Sequence, residues 1–277
     1  MGKKIYLMKL GVVVVVYKTD LKKISVIKSI LLEMRKNSSL ELLVFENSTR
    51  KNQEDLIINQ EGYYLYQQTE NLGTSGAYSF AIDFFKSLNC NYIALFDQDS
   101  IIDSNYFKQF NKCFSLNSFS VAVPTVISKN IQISPTYFNP LWGPTLKNNS
   151  FFQGNSFVTA ISSGSIHSID LIASFQPFPK ELWLDYFDHW LFLKYNNSNV
   201  KIDLIDFEIL HDLSIQNLSD ISSFRLKNIY TSEKYLFCNY LGGLSKLAYY
   251  IKITLRLGKI LTTTPSQFQR CFKFLYL

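Results

Sequence analysis

Two carboxylates, Asp97 and Asp99, bracket Gln98 where the apolar run "YIALF" (residues 92–96) comes to an end. With the two-residue alternation of a strand their side chains are expected on one side, able to flank a single ligand or ion. Close carboxylates repel unless a cation sits between them, and Mg²⁺ or Mn²⁺ carrying a diphosphate suits that role. In "ENLGTSGAYSFAID" (residues 70–83), Gly73 and Gly76 fall at a helix start, where free backbone N–H groups attract anions. Asp185 and Asp188 stand three apart in "LDYFDHW", the spacing of one helix face, and such a pair can supply a general base for a hydroxyl. His211, in "FEILHDLS", is one of three histidines.

Each feature also has a plain structural explanation: a solvated strand end, a helix cap at Thr74 or Ser75, an acidic helix start, a structural histidine. An EF-hand is excluded, because a loop starting at Asp97 places Ile101 at a ligand position and lacks the glycine the turn needs. A phosphatase of the haloacid dehalogenase type also uses Asp-x-Asp, but on the first strand of its fold, whereas about 90 residues of alternating structure precede this one. The four cysteines (90, 113, 238 and 271) are scattered without CxxC or a nearby histidine pair, so neither a zinc site nor a disulfide framework is expected.

The elements that must position these residues alternate. "GVVVVVYKTD" (residues 11–20) reads as a strand buried on both faces, followed by a helix over residues 21–36. "LELLVFENST" (residues 40–49) is a second strand, "YYLYQ" a short third, and a helix of about a dozen residues leads to "YIALFDQDS", the fourth. Such alternation predicts a parallel α/β sheet, with ligands bound beyond the carboxyl ends of its strands. The polar groups at residues 17–20, 46–49, 71–75 and 97–100 should therefore share one rim. Further along, "VAVPTVI" reads as a strand, residues 134–155 as a long loop, "FVTAISSGSIHSIDLIASF" as strand, turn and short helix, and "LWLDYFDHWLFLKY" as a helix starting near Leu184.

In order, these segments resemble the family 2 glycosyltransferases of the GT-A fold, most closely the bacterial rhamnosyltransferase branch, over roughly residues 10 to 240. The family's opening Thr-Tyr-Asn turn corresponds to Val16, Tyr17 and Lys18, its Asp-Asn-Gly-Ser to Glu46, Asn47, Ser48 and Thr49, and its Asn-x-Gly to Asn71 and Gly73. Its DxD corresponds to "DQDS", the form associated with dTDP-rhamnose. The resemblance implies a Rossmann-like, mostly parallel sheet flanked by helices. It implies nucleotide-sugar contacts at Tyr17, Glu46, Asn47, Asn71, Gly73, Asp97 and Gln98, and a divalent cation at Asp97, Asp99 and His211. Acceptor contacts are implied at Ser163, Gly164 and Trp190, with Asp188 as catalytic base and Asp185 as its helper. The sequence departs from the family's pattern at Trp190 (a Glu in many members), Lys194 (an Arg) and Cys238 (an Arg). The chain divides on this reading into a nucleotide-sugar half (1–110), an acceptor and catalytic half (111–235) and a C-terminal amphipathic helical tail (236–277).

At 277 residues, 47% hydrophobic and 18% charged, the chain can bury a sizeable core and is not disordered. Its net charge of +6 is concentrated, since from Lys234 onward there are seven Lys or Arg and no acid. Those cations are interleaved with Leu, Ile, Tyr and Phe, as in a basic helix lying on an anionic membrane. With no apolar run of spanning length and no usual export signal, a cytoplasmic chain held peripherally at the inner face of the cell membrane is expected. The implied partners are dTDP-rhamnose, a polyprenyl-diphosphate-linked glycan and the membrane surface, and not nucleic acid. A DxD phosphohydrolase of the haloacid dehalogenase type and a non-catalytic sugar-nucleotide-binding component of a glycan assembly complex are the other readings.

Overall fold

Five consecutive valines make β1 (Leu10–Val16) buried at every position, because stiff, branched side chains pack well on a pleated surface covered on both sides. In the computed structural model of the chain, the described residues are 8–48, 56–60, 62–116, 119–145, 157–210 and 221–275. They continue through α1 (Ser25–Met34), β2 (Leu40–Glu46), β3 (Leu56–Gln60), β4 (Tyr63–Gln67), α2 (Gly73–Ser87), β5 (Tyr92–Asp97), α3 (Ser104–Leu116), β6 (Val121–Ser128) and β7 (Ile131–Ser134). Then follow β8 (Thr136–Asn139), β9 (Gly143–Thr145), β10 (Phe157–Thr159), β11 (Ile166–Ser168), α4 (Ile169–Ala173), α5 (Phe187–Asn197) and β12 (Ile202–Leu210). The chain ends in α6 (Ser223–Lys234), a π-helical turn (Tyr235–Leu241), α7 (Gly243–Thr263) and α8 (Phe268–Leu275).

Two compact units are each assembled from three segments. The first (Met1–Pro135, Ala160–Phe178, Asn197–Asp212) holds a nine-stranded sheet in the order β12-β6-β11-β5-β1-β2-β4-β3, with β7 beside β6. β1, β2, β4, β5, β6 and β12 run one way and β3, β7 and β11 the other, so the sheet is mostly parallel, as expected. One face of β1 packs on α1 through Val26, Ile27 and Ile30, and burying each such side chain contributes about 1.5–3 kcal/mol. The second unit (Thr136–Thr159, Pro179–Asn196, Leu213–Leu277) holds the three-stranded antiparallel sheet β10-β8-β9 and helices α5 to α8. The expected boundary after residue 110 falls inside α3, and that after 235 falls in the π-helical turn.

Three expectations are corrected. The segment 134–155, read as a loop, contains β8 and β9, and its residues 146–155 lie outside the described residues. Pro135 and the turn residues after Asn139 hid a four-residue strand whose Asn139 carboxamide accepts from Leu141 N (2.9 Å) and Trp142 N (3.2 Å), closing a hairpin to Gly143. The helix read from residue 21 begins as an isolated 3-10 turn, Leu21–Lys23, and the α-helix starts only at Ser25 because Ile24 is extended (φ −81°, ψ 111°). The helix read from Leu184 starts at Phe187, because Tyr186 adopts a left-handed conformation (φ 60°) that an aromatic residue rarely takes. Asp185 therefore precedes the helix and does not share a helix face with Asp188.

Candidate functional site

In the first unit β1, β2 and β5 stop together, with Val15 opposite Asp97 and Val16 opposite Glu46. The residues just beyond are tied to one another. Gln98 Oε1 accepts Tyr17 N at 2.9 Å, Ser48 Oγ accepts Lys18 N at 2.8 Å, and Asn47 N donates to Val16 O at 2.7 Å. Glu46 Oε2 accepts Gln67 Nε2 at 3.2 Å. Asn47 is buried, and its amide is spent on the start of α2: Nδ2 donates to Gly73 O and Oδ1 accepts Leu72 N, each at 2.9 Å. Asn71 Oδ1 accepts Gly73 N at 2.9 Å. The Tyr17 side chain is 44% exposed, with the Lys18 ammonium 5.1 Å from its ring centre, an apolar face and a cation of the kind on which a nucleobase and a phosphate can rest.

The Asp97–Asp99 pair does not arise from strand alternation, because β5 ends at Asp97 and Gln98 and Asp99 form a turn closed by Ser100 N to Asp97 O (3.3 Å). That turn is braced from behind. Ser163 Oγ accepts Asp97 N at 3.3 Å and hydrogen-bonds Ser100 Oγ; Gly164 N donates to Leu95 O at 2.7 Å, and Tyr106 Oη donates to Gly164 O at 2.8 Å. Ser29 Oγ of α1 holds Ile102 O at 2.8 Å. Ser163 has no exposed surface, and Gly164 (φ 78°) leaves no room for a side chain, since a Cβ there would lie 2.1 Å from Ile209 Cδ1. These two residues, expected on an acceptor-side loop, shape the carboxylate turn. Asp97 is half-buried and Asp99 exposed, two hard oxygen donors on one turn that fit a Mg²⁺ or Mn²⁺ completed by diphosphate and water. Among the described residues no three His, Cys, Asp or Glu side chains gather as a ready-made metal cluster, and His211 lies outside them.

In the second unit the turn before α5 carries the other acids. Asp185 Oδ1 accepts Arg225 Nη2 at 2.8 Å, while Oδ2 is buried without a hydrogen-bond partner among the described residues. Burial pushes Asp185 up to about 6, the Arg225 guanidinium works against that, and the Asp188 charge adds to it. Asp188 sits in the first turn of α5, where the helix dipole favours a carboxylate. His189 Nδ1 pairs with Thr159 Oγ1 at 2.8 Å, and burial lowers its pKa to about 4, so the ring is neutral. Trp190 is 3% exposed, packed between Phe187 and Tyr240, and the Lys194 ammonium lies over both Trp190 and Tyr240. The family's Glu-to-Trp and Arg-to-Lys departures are thus one packed aromatic and cation group.

Three residues to which the sequence reading gave no part in the site hold this turn. Arg225 on α6 grips Asp185, and Glu233, also on α6 and 1% exposed, hydrogen-bonds Tyr186. Arg256 on α7 in turn grips Glu233 with Nη1 at 2.7 Å and Nη2 at 3.0 Å, and Lys252 stands 3.6 Å away. Two of the tail's cations therefore turn inward onto a buried carboxylate, which corrects the expectation that they face a membrane. Glu233 is the residue just before the acid-free stretch, the single clue the sequence carried.

No family model matches the chain, and no curated protein matches it in sequence. Among solved structures it is similar to the crystal structure of GalNAc-T7 with UDP, GalNAc and Mn²⁺, at 11% identity and a TM-score of 0.56, over 89% of this chain and 54% of that one. It is also similar to the crystal structure of S. aureus TarS, at 14% identity and a TM-score of 0.49, over 94% and 45%. The chain spans about half the length of these matched chains. The likeness to GalNAc-T7 shows the fold: this chain has the mixed, mostly parallel α/β architecture of the GT-A glycosyltransferases.

Proposed function

We propose that the chain is an inverting glycosyltransferase that moves rhamnose from dTDP-rhamnose to a polyprenyl-diphosphate-linked glycan in bacterial surface-polysaccharide synthesis, O-antigen or capsule, at the inner face of the cell membrane. The observation that carries the transferase reading is the Asp97–Asp99 turn at the carboxyl end of β5, beside exposed Tyr17, in a GT-A sheet. The GalNAc-T7 structure with UDP, GalNAc and Mn²⁺ supports it by analogy of fold. Rhamnose rests on the resemblance of "DQDS" alone.

Tyr17 and Glu46 receive the base and ribose, and Asp97, Asp99 and His211 would hold a divalent cation. When bound, Mg²⁺ or Mn²⁺ neutralises the charge of the departing diphosphate. Asp188 takes the proton from the acceptor hydroxyl as that oxygen attacks the anomeric carbon, giving inversion in one displacement. Asp185, anchored by Arg225, keeps negative charge beside Asp188 once it ionises. A phosphohydrolase of the haloacid dehalogenase type would carry its Asp-x-Asp on the first strand, whereas here the pair ends β5.

A thermal-shift screen of dTDP-, UDP- and GDP-sugars with Mn²⁺ tests the donor, because a ligand at a hundred times its Kd stabilises the fold by about 2.7 kcal/mol. dTDP-rhamnose is expected to give the largest rise, and Asp188→Asn is expected to retain that rise while losing transfer. No rise with any nucleotide sugar overturns the donor site. Transfer undiminished in Asp188→Asn overturns the base assignment, and binding without turnover in either form leaves a sugar-nucleotide-binding component.

A further inference from the structure

Helix α7 has two apolar faces where a surface helix ordinarily has one. Tyr249, Ile253, Leu257 and Ile260 form the buried face, within the second unit. On the opposite side Leu244, Leu247, Ile251 and Leu255 are 73%, 59%, 48% and 66% exposed. Their spacing of three, four and four residues draws a stripe about 16 Å long. The cations sort with equal clarity. Lys252 and Arg256 are turned onto Glu233, while Lys246 and Lys259 on α7 and Lys273 on α8 are exposed. No acidic residue follows Glu233 in the sequence.

An outward face that is apolar, flanked by positive charge and free of negative charge narrows what can cover it. A second copy of α7 would set lysines against lysines with no carboxylate on the helix to pair them, which is repulsive. An anionic lipid surface complements both features, since leucines enter the boundary between headgroups and acyl chains while lysines remain among headgroup phosphates. No helix among the described residues is long and apolar enough to cross a membrane, so the fitting geometry is a helix lying in the surface plane. We propose that the Leu244, Leu247, Ile251 and Leu255 face of α7 seats the chain on an anionic lipid surface, with Lys259, one turn beyond Leu255, at headgroup level. This deepens the membrane part of the proposed function and narrows it: leucines make the contact, and the helix's two central cations, Lys252 and Arg256, are structural.

The test is co-sedimentation of the full chain with vesicles of phosphatidylcholine alone and of phosphatidylcholine with phosphatidylglycerol. Point variants are used because cutting α7 away would strip Glu233 of both its cations. Binding is expected only with phosphatidylglycerol. Leu247→Gln with Leu255→Gln, both at exposed sites, should lower it at least tenfold, and Lys259→Gln about fivefold. Unchanged binding in the leucine variant overturns the proposal, as does equal binding to both vesicle types. A dimer seen by light scattering and abolished by the leucine variant also overturns it, because a second copy then covers the face. Vesicle binding needs no donor, so a chain that binds phosphatidylglycerol vesicles but no nucleotide sugar supports this inference while refuting the transferase reading.

Discussion

Replacing Arg256 by Met removes the bidentate partner of Glu233 while keeping an apolar stem of similar shape. Glu233 is 1% exposed, and its carboxylate accepts both guanidinium bonds, at 2.7 and 3.0 Å. Breaking a buried pair by removing one partner typically costs about 3–5 kcal/mol, because the surviving charge stays desolvated. Here Lys252, 3.6 Å away, remains as a second cation. Burial lowers the Lys252 pKa, the Glu233 charge opposes that, and the Arg256 charge lowers it further, so without Arg256 the ammonium pairs more firmly. The expected loss is therefore at the lower end, about 3 kcal/mol. All three tryptophans, Trp142, Trp183 and Trp190, belong to the second unit, so urea denaturation followed by tryptophan fluorescence reports that unit's unfolding. Glu233→Gln combined with Arg256→Met removes both ends of the bidentate pair and should recover at least half the loss, a coupling that a double-mutant cycle reads directly. A loss below about 1 kcal/mol for Arg256→Met, or a double variant whose loss equals the sum of the singles, would refute the view that α7 is fastened through Glu233.

Two further outcomes follow from the same geometry. Gly164→Ala must fit a methyl group 2.1 Å from Ile209 Cδ1 and 3.0 Å from Pro124 Cγ at φ 78°, so we expect about 2 kcal/mol of destabilisation and weaker Mn²⁺-dependent donor binding; wild-type urea midpoints would show that the Asp97–Asp99 turn does not depend on that close approach. Asp185 has a folded pKa raised to about 6 from 3.8, so the stability it contributes is fully present below about 3.8 and lost as pH rises through about 6. The difference in urea stability between wild type and Asp185→Asn should thus fall from pH 4 to pH 6, and a difference that is flat or rises there removes the case for a desolvated carboxylate.

The first-unit rim was legible because its determinants are local. A run of valines reveals β1, the apolar stretches before Glu46 and Asp97 reveal β2 and β5, and parallel pairing then places their ends together whatever the intervening chain does. The first-unit strands that escaped notice, β3, β7 and β11, are five, four and three residues long and run against the sheet, too short for a two-residue period to be counted. In the second unit the decisive facts are relations between distant residues. Nothing near Asp185 announces Arg225, forty positions on, and nothing near Tyr186 announces its left-handed backbone. The tail makes the same point with charge. Its composition says positive and apolar, but Lys252 and Arg256 share a helix side with buried Tyr249 and Ile253, and the apolar residues left outside are the leucines. A count of charges gives the sign of a surface; the position of one buried glutamate decides which cations belong to it.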